Sequence, residues 1–189
     1  MTGSQVIDAE EDRHKLVVEY KDALQPADFY HNFKQLGIRS VQLIPHLEFD
    51  DRGDLTAASV TAELWGKFLI ALFECWVRAD ISRISIELFD TTLQKWCGSE
   101  NPQPRRGCQA CDWHRLCPHA REETPDNVLC AGYQAFYSYS APHMRVMRDL
   151  IKQHRSPMEL MTMLPTIMMM IMITMGIIRV WLVISLEMS

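Results

Sequence analysis

Residues 59–90 read SVTAELWGKFLIALFECWVRADISRISIELFD, and this stretch decides the predicted fold class. Its apolar side chains recur at spacings of four, four, one and three residues, as in a helix with a wide buried face. These side chains are Leu64, Phe68, Leu72, Phe73 and Trp76. Ser59 is a suitable N-cap for this helix. After the helix, Ile84, Ile86 and Leu88 alternate with polar residues and predict a half-buried strand.

The residues before this stretch repeat the alternation of helix and strand. The segment 26–37, PADFYHNFKQLG, has a proline suited to a first helical turn and ends in glycine, so it predicts a short helix. Residues 40–44, SVQLI, are closed by Pro45 and predict a strand. Because strands separated by helices favour parallel pairing, the sequence predicts an α/β fold with a βαβ arrangement. Residues 1–25 lack a clear pattern and are interpreted as an N-terminal lead-in segment.

The overall composition fits one folded domain with appendages. The chain has 189 residues, of which 48% are hydrophobic and 23% are charged. The net charge of -5 argues against a surface that neutralises many phosphates. The N-terminus has no basic region followed by an apolar stretch, so we expect a cytoplasmic protein without a secretory signal. In a reducing compartment, clustered cysteines are expected to act as ligands rather than to form disulfides.

A cysteine-rich stretch between Cys97 and Cys130 has no apolar period, so a bound metal is expected to organise it. It has the spacing C-x2-C-x5-C-x12-C, and thiolates are the ligands of iron–sulfur clusters and of structural zinc. The predicted metal ligands are Cys108, Cys111, Cys117 and Cys130. The spacing leaves both kinds of site open, and His114 and His119 are further candidates for a zinc site.

Two other cysteines lie before this cluster. Cys97 follows Trp96 directly and is a candidate for an additional ligand. Cys75 lies beside Leu72 and Trp76 on the predicted long helix, where a lone cysteine is usually a small buried hydrophobe.

Two helices are predicted after the cysteine-rich stretch. The first helix is predicted to begin at Pro142, because proline is favoured in a first helical turn. Its apolar face is predicted to comprise Met144, Met147 and Ile151. Ser156 and Glu159 have the spacing of a capping box for the second. The run 143–155, HMRVMRDLIKQHR, adds a basic helical surface that would suit DNA, although the acidic remainder of the chain opposes this.

The C-terminal tail has two open interpretations. Residues 166–186, TIMMMIMITMGIIRVWLVISL, match the roughly 20 residues that cross a bilayer, although Arg179 lies among them. The methionine bias of this tail is also typical of low-complexity sequence. Membrane association through the tail and a tail without function are therefore both retained.

Four stretches resemble, in family order, the anaerobic sulfatase-maturating enzymes, which are radical SAM proteins with a C-terminal SPASM domain. They are FYHNFKQLGIRSVQLIPHLE from Phe29, the stretch 59–90, CQACDWHRLCPHAR from Cys108 and LCAGYQAFYSYSAPHMRVMRDLI from Leu129. The resemblance implies a fragment of a partial radical SAM (β/α) barrel, followed by a cysteine-rich SPASM-like region and C-terminal helices. The implied division is a lead-in at 1–25, barrel units at 26–97, the cysteine-rich region with helices at 98–161, and an apolar tail at 162–189.

The resemblance also implies roles for particular residues. The four clustered cysteines match the ligands of the family's second auxiliary [4Fe-4S] cluster, and Leu47 resembles a position near bound S-adenosylmethionine. Arg121 stands where a further family cysteine follows Cys117, unless a deletion makes Cys117 itself that cysteine. The ligand set implied by the resemblance therefore has two versions.

Departures from the family limit the expected activity. The sequence contains no C-x3-C-x2-C, so the cluster that cleaves S-adenosylmethionine has no ligands here. Only eleven residues separate Trp96 from Cys108, where the family holds most of its first auxiliary cluster and a catalytic acid. Neither S-adenosylmethionine binding nor radical chemistry is expected from this chain alone.

Three functional hypotheses follow. The first is a cluster-binding relative of the maturases without catalysis of its own, whose partner is a sulfatase or a related maturase chain. The second is a metal-binding accessory or regulatory protein, acting as a redox or metal sensor and binding DNA through the run 143–155. The third is an active enzyme that needs a partner chain to supply the missing barrel and cluster.

Overall fold

The computed structural model describes residues 13–98, 108, 111–117 and 128–164. Its strands form a three-stranded sheet in chain order: β1 (His14–Val18), β2 (Ser40–Pro45) and β3 (Ser85–Ile86). Both strand pairs are parallel, with Val18 opposite Pro45 and Val41 opposite Ile86. The predicted α/β class and the parallel βαβ arrangement are confirmed.

Helices cover one face of this sheet. They are α1 (Tyr20–Ala23), α2 (Pro26–Gln35), α3 (Ala62–Ala79), α4 (Glu87–Trp96) and α5 (Cys130–Lys152). On the covered face, Val18, Val41 and Ile86 are fully buried. Val17 and Ile44, whose side chains point the other way, are 53% and 36% exposed. The described residues thus leave the second face of the sheet open.

The crossing of α3 and α5 forms the centre of the core. The predicted apolar face of α3 is confirmed, because Phe68, Leu72, Phe73 and Trp76 are at most 1% exposed, and Leu64 packs partly buried against the same core. Aromatic rings join the two helices and α4, with Phe73 and Phe89 each in edge or stacked contact with Phe136. This packing fixes the start of α5 relative to the rest of the molecule.

The predicted N-cap of the long helix is wrong by two residues. The helix is capped by Thr61, whose side-chain oxygen accepts a hydrogen bond from the Leu64 N–H at 3.3 Å. The Ser59 hydroxyl instead accepts from the Glu48 N–H at 2.7 Å and donates to the Glu48 carbonyl at 2.8 Å. Ser59 therefore joins the loop before α3 to the Glu48 backbone and does not cap the helix.

The strand predicted through Leu88 ends at Ile86, and a helix begins at Glu87. Two acidic residues in the first turn, Glu87 and Asp90, favour a helix start at this point. The Ser85 hydroxyl also donates to Asp90 at 2.6 Å, which ties the short strand to the helix that follows. Local electrostatics therefore override the apolar alternation.

Two further elements differ from the predictions. The lead-in segment contains β1, which extends the sheet and buries Val18. The helix assigned to begin at Pro142 begins at Cys130, with Pro142 in its interior. Pro142 and Ser138 both lie on the exposed side of α5, so water can satisfy the Ser138 carbonyl that proline leaves without its helical donor.

The chain after α5 turns back into a second short helical stretch. Residues 159–164 are helical, and the Ser156 hydroxyl accepts from the Met158 N–H at 3.3 Å, so a helix follows Ser156 as predicted. None of the helices at 13–98, 111–117 and 128–164 is long and apolar enough to cross a membrane. The apolar tail at 166–186 lies outside the described residues.

Candidate metal centre

A series of tight turns presents the first three predicted ligands. The Cys111 N–H donates to the Cys108 carbonyl at 3.1 Å, which closes the turn of the C-x2-C pair. Further along, the Cys117 N–H donates to the Trp113 carbonyl at 3.1 Å. These turns let closely spaced cysteines share one region of space without a hydrophobic core of their own.

The turn segment is anchored on the helical core through Leu116. Its side chain is 8% exposed, and its carbonyl accepts from the Lys95 ammonium at 2.8 Å and from the Tyr137 hydroxyl at 3.3 Å. The Trp113 ring also lies 6.3 Å from the Tyr137 ring, centroid to centroid. Helices α4 and α5 therefore position the cysteine turns from two sides.

The fourth predicted ligand, Cys130, is the first residue of α5. The N-terminal end of a helix carries the positive end of its dipole, which suits an anionic thiolate or metal–thiolate centre. One turn later, Gln134 places its amide nitrogen 3.4 Å from the Cys130 sulfur and 3.7 Å from the Cys111 sulfur. The sulfurs of Cys111 and Cys130 are therefore no further apart than the sum of these two distances.

Tyr137 is a buried residue of α5 beside the turn segment that carries the predicted ligands. Its side chain is 1% exposed, and burial raises the pKa of its hydroxyl well above the ordinary value. Repulsion from the ionised side chains of Cys117, Tyr133, Cys111 and Cys130 raises this pKa further. The three predicted ligands therefore lie within electrostatic range of one buried phenol.

The spacing of the four thiols suits an iron–sulfur cluster better than a single metal ion. Within the described residues, no three histidine, cysteine or carboxylate side chains are close enough together to hold one metal ion. A tetrahedral zinc site with Zn–S bonds of about 2.3 Å needs its sulfurs about 3.8 Å apart. An iron–sulfur cluster binds each thiolate through a different iron and thus accepts a wider spacing. The described residues contain no disulfide that would block these thiols.

The remaining predicted site residues are placed as follows. Leu47 is partly buried and packs against the core just after β2, and no contact of this residue tests its resemblance to a cofactor-binding position. Cys97 is exposed at the end of α4. Cys75 packs partly buried against the core, and burial raises the pKa of its thiol, in keeping with a structural role. His119 and Arg121 lie outside the described residues.

His114, the other histidine considered for a zinc site, is held within its own turn. Its Nδ1 lies 2.7 Å from the Cys111 carbonyl oxygen, and its backbone N–H donates to the same oxygen at 3.2 Å. The second ring nitrogen, Nε2, is the atom left for a metal. The structure therefore holds the His114 ring against the Cys111 carbonyl.

The basic run at 143–155 makes contacts within the protein. The guanidinium groups of Arg145 and Arg148 lie 5.5 and 5.7 Å from the centroid of the Trp96 ring. Arg155 forms an ion pair with Glu159 one turn further along. The contacts of Arg145 and Arg148 with Trp96 pack part of the predicted DNA-binding surface against α4.

Comparison with known proteins places the chain among its relatives. No protein-family model matches it. It is 96% identical over 164 residues to the uncharacterized protein YidF of Escherichia coli strain K12, covering 87% of this chain and 99% of that protein. The chain belongs to the YidF family.

The chain is also distantly similar to a protein outside the YidF family. The chain is 24% identical over 229 aligned positions to the serine-type anaerobic sulfatase-maturating enzyme of Bacteroides thetaiotaomicron, covering 77% of this chain and 55% of that enzyme. The chain thus spans about half the length of this maturase. Since the alignment is longer than the 189-residue chain, the aligned part of the maturase carries insertions relative to it.

Solved structures show the same relation in the fold. Native anSMEcpe with bound AdoMet and the Cp18Cys peptide matches with a TM-score of 0.56 and 19% identity, over 72% of this chain and 57% of that one. Native anSMEcpe with bound AdoMet matches with the same TM-score at 17% identity, over 72% and 57% of the two chains. These matches show that the YidF-family chain shares part of the maturase fold.

Sequence reasoning named the four cysteines as candidate ligands but did not consider Gln134 and Tyr137. Both lie on α5 at helical distance from Cys130, four and seven residues along. A helix start predicted at Cys130 would have placed all three on one face. The error in the start of α5 therefore also concealed the surroundings of the site.

Proposed function

We propose that this YidF-family chain binds an iron–sulfur cluster, of the [4Fe-4S] type, through Cys108, Cys111, Cys117 and Cys130. The observation that carries the proposal is that one side-chain amide, that of Gln134, lies 3.4 Å from the Cys130 sulfur and 3.7 Å from the Cys111 sulfur, which brings the start of α5 to the C-x2-C turn. Cys108 joins them through the turn that binds its carbonyl to the Cys111 N–H. The four cysteines would hold the cluster, and α5 would orient it through Cys130.

The proposed role is electron transfer or sensing rather than catalysis by the chain alone. The distant relation to sulfatase-maturating enzymes supports an origin as a fragment of the maturase barrel with its cysteine-rich region. The sequence contains no C-x3-C-x2-C to bind the cluster that cleaves S-adenosylmethionine. The proposed partner class is therefore a sulfatase or a related maturase chain that supplies the rest of the chemistry.

Metal analysis of the full chain, purified without oxygen, tests this proposal. We expect roughly four irons per chain and broad visible absorption, as for a [4Fe-4S] protein. Cys111→Ala and Cys117→Ala should each lose most of the iron, because each removes one of the proposed thiolate ligands. Cys75→Ala is the matched control, since it removes a cysteine outside the site, and it should retain the iron.

The same analysis distinguishes the alternatives. One zinc per chain, lost in the Cys111 and Cys117 variants, would replace the cluster by a structural zinc site. Iron retained in both variants would show that these cysteines are not the ligands. Metal-free protein that folds normally would overturn the proposal.

A further inference from the structure

Gln134 contacts the sulfur atoms of two proposed ligands that are distant in sequence. Its amide nitrogen lies 3.4 Å from the Cys130 sulfur and 3.7 Å from the Cys111 sulfur. These are ordinary distances for an N–H donor and a sulfur acceptor. Gln134 therefore connects the start of α5 to the C-x2-C turn.

Helix geometry explains the contact with Cys130. Side chains four residues apart on a helix lie one above the other, so Gln134 lies directly along α5 from Cys130. A glutamine amide carries two N–H donors, one available for each sulfur. Cys111 is brought to the same amide by the turn segment that Leu116 anchors on α5.

We propose that Gln134 is a positioning residue of the metal centre, whose amide donates to the Cys111 and Cys130 sulfurs and stabilises the reduced state of the bound cluster. This inference rests on the proposed function. Hydrogen bonds to ligand sulfurs are among the factors that set cluster potentials, because one-electron reduction adds negative charge that N–H groups stabilise. Removing these donors should make the cluster harder to reduce.

A potentiometric titration of Gln134→Leu against the unmodified chain tests the proposal. Dithionite supplies the electron, and the visible and electron paramagnetic resonance spectra report the fraction of cluster reduced. We expect iron content to be unchanged and the reduction equilibrium to shift about tenfold toward the oxidised cluster, equivalent to about 59 mV for one electron. Gln153→Leu is the matched control, because it makes the same change in an exposed glutamine at the far end of α5.

Two further variants separate hydrogen bonding from charge. Gln134→Lys keeps donors and adds a positive charge, so its potential should be at or above that of the unmodified chain. Gln134→Glu removes the donors and adds a negative charge, so its potential should lie below that of Gln134→Leu. Since a unit charge of either sign should shift the potential by a similar amount, a gain of Gln134→Lys over Gln134→Leu that exceeds the loss of Gln134→Glu below Gln134→Leu would identify the N–H groups as the cause, and a gain no larger than that loss would overturn the positioning role.

The outcomes also distinguish this inference from the function on which it depends. A chain that binds iron, and whose potential is the same in Gln134→Leu, overturns the positioning role and leaves the cluster proposal intact. A shift of equal size in Gln153→Leu likewise overturns it. An unmodified chain without iron overturns both proposals.

Discussion

Gly132 lies where α5 crosses α3, and its missing side chain sets how closely the two helices approach. A Cβ at this position would lie 2.3 Å from the Ala62 carbonyl oxygen and 3.0 Å from the Gly66 backbone nitrogen. Both contacts are with backbone atoms, which cannot move aside like the end of a flexible side chain. The crossing therefore needs glycine for reasons of space.

Gly132→Ala should destabilise the protein although alanine is the better helix former. The helix preference favours alanine by about 1 kcal/mol, whereas overpacking of a close contact typically costs about 1–3 kcal/mol. We expect a net loss in the free energy of unfolding, measured by urea denaturation. Ser138→Ala, on the exposed side of α5, should have little effect. Stability equal to or above that of the unmodified chain in Gly132→Ala would contradict the described crossing.

His143 makes the stability of the core depend on pH. Burial lowers the pKa of this imidazole from its ordinary value of 6.5, and the nearby Glu74 carboxylate and a hydrogen bond with the Tyr139 backbone oppose this only in part. Its ring packs in the core, 5.5 Å from that of Phe73. The folded protein therefore favours the neutral ring.

Acidification should weaken the fold through His143. As the pH falls below about 6.5, the unfolded chain takes up a proton before the folded chain does. The free energy of unfolding should therefore be fully retained above this pH and fall as the pH approaches the lowered pKa. His143→Gln should flatten this part of the curve, whereas His31→Gln, at an exposed position, should not. Identical slopes for His143→Gln and the unmodified chain would argue against a buried neutral ring.

At the scale of elements, the register of β1 decides which of its side chains face the helices. Val18 is fully buried on the helix-covered face, whereas Val17 is 53% exposed on the open face. Val18→Asp should lower the free energy of unfolding by at least about 3 kcal/mol, because it buries an unpaired charge. Val17→Asp should cost less than about 1 kcal/mol. Urea denaturation of the two variants checks the register directly, and a reversed order would place β1 one residue out of register.

The elements also show what the sequence could and could not predict. The segments 26–37 and 40–45 combine a hydrophobic pattern with proline or glycine boundaries, and both were predicted correctly. The strand β1 has only five residues, His14–Val18, and its identity depends on pairing with β2, which no local pattern reveals. Tertiary contacts decide such short elements.

The start of α5 was missed for a different reason. The stretch from Cys130 to Ser140 mixes tyrosines, serines and glycine, and Pro142 looked like a helix start. Its apolar face is recognisable only when it packs on α3, where Phe136 and Tyr137 are buried. The four cysteines could be put forward as candidate ligands from spacing alone, but Gln134 and Tyr137 could not, because their position beside the cysteines depends on where α5 begins.

At the scale of the whole molecule, the chain combines a small parallel sheet with a cysteine-bearing helical region. Parallel sheets are usually covered on both faces, whereas the described residues cover one face only. The chain spans 55% of a distantly related maturase and 57% of a maturase of similar fold. This agrees with the proposed origin as a barrel fragment that keeps its cluster-binding end.

The content of acid-labile sulfide in the full chain, purified without oxygen, tests the central claim most directly. Neither zinc nor loosely bound iron brings inorganic sulfide, so sulfide separates a cluster from both. The account predicts roughly four sulfides per chain, matching the iron and lost in Cys117→Ala but not in Cys75→Ala. A folded chain without sulfide would contradict it.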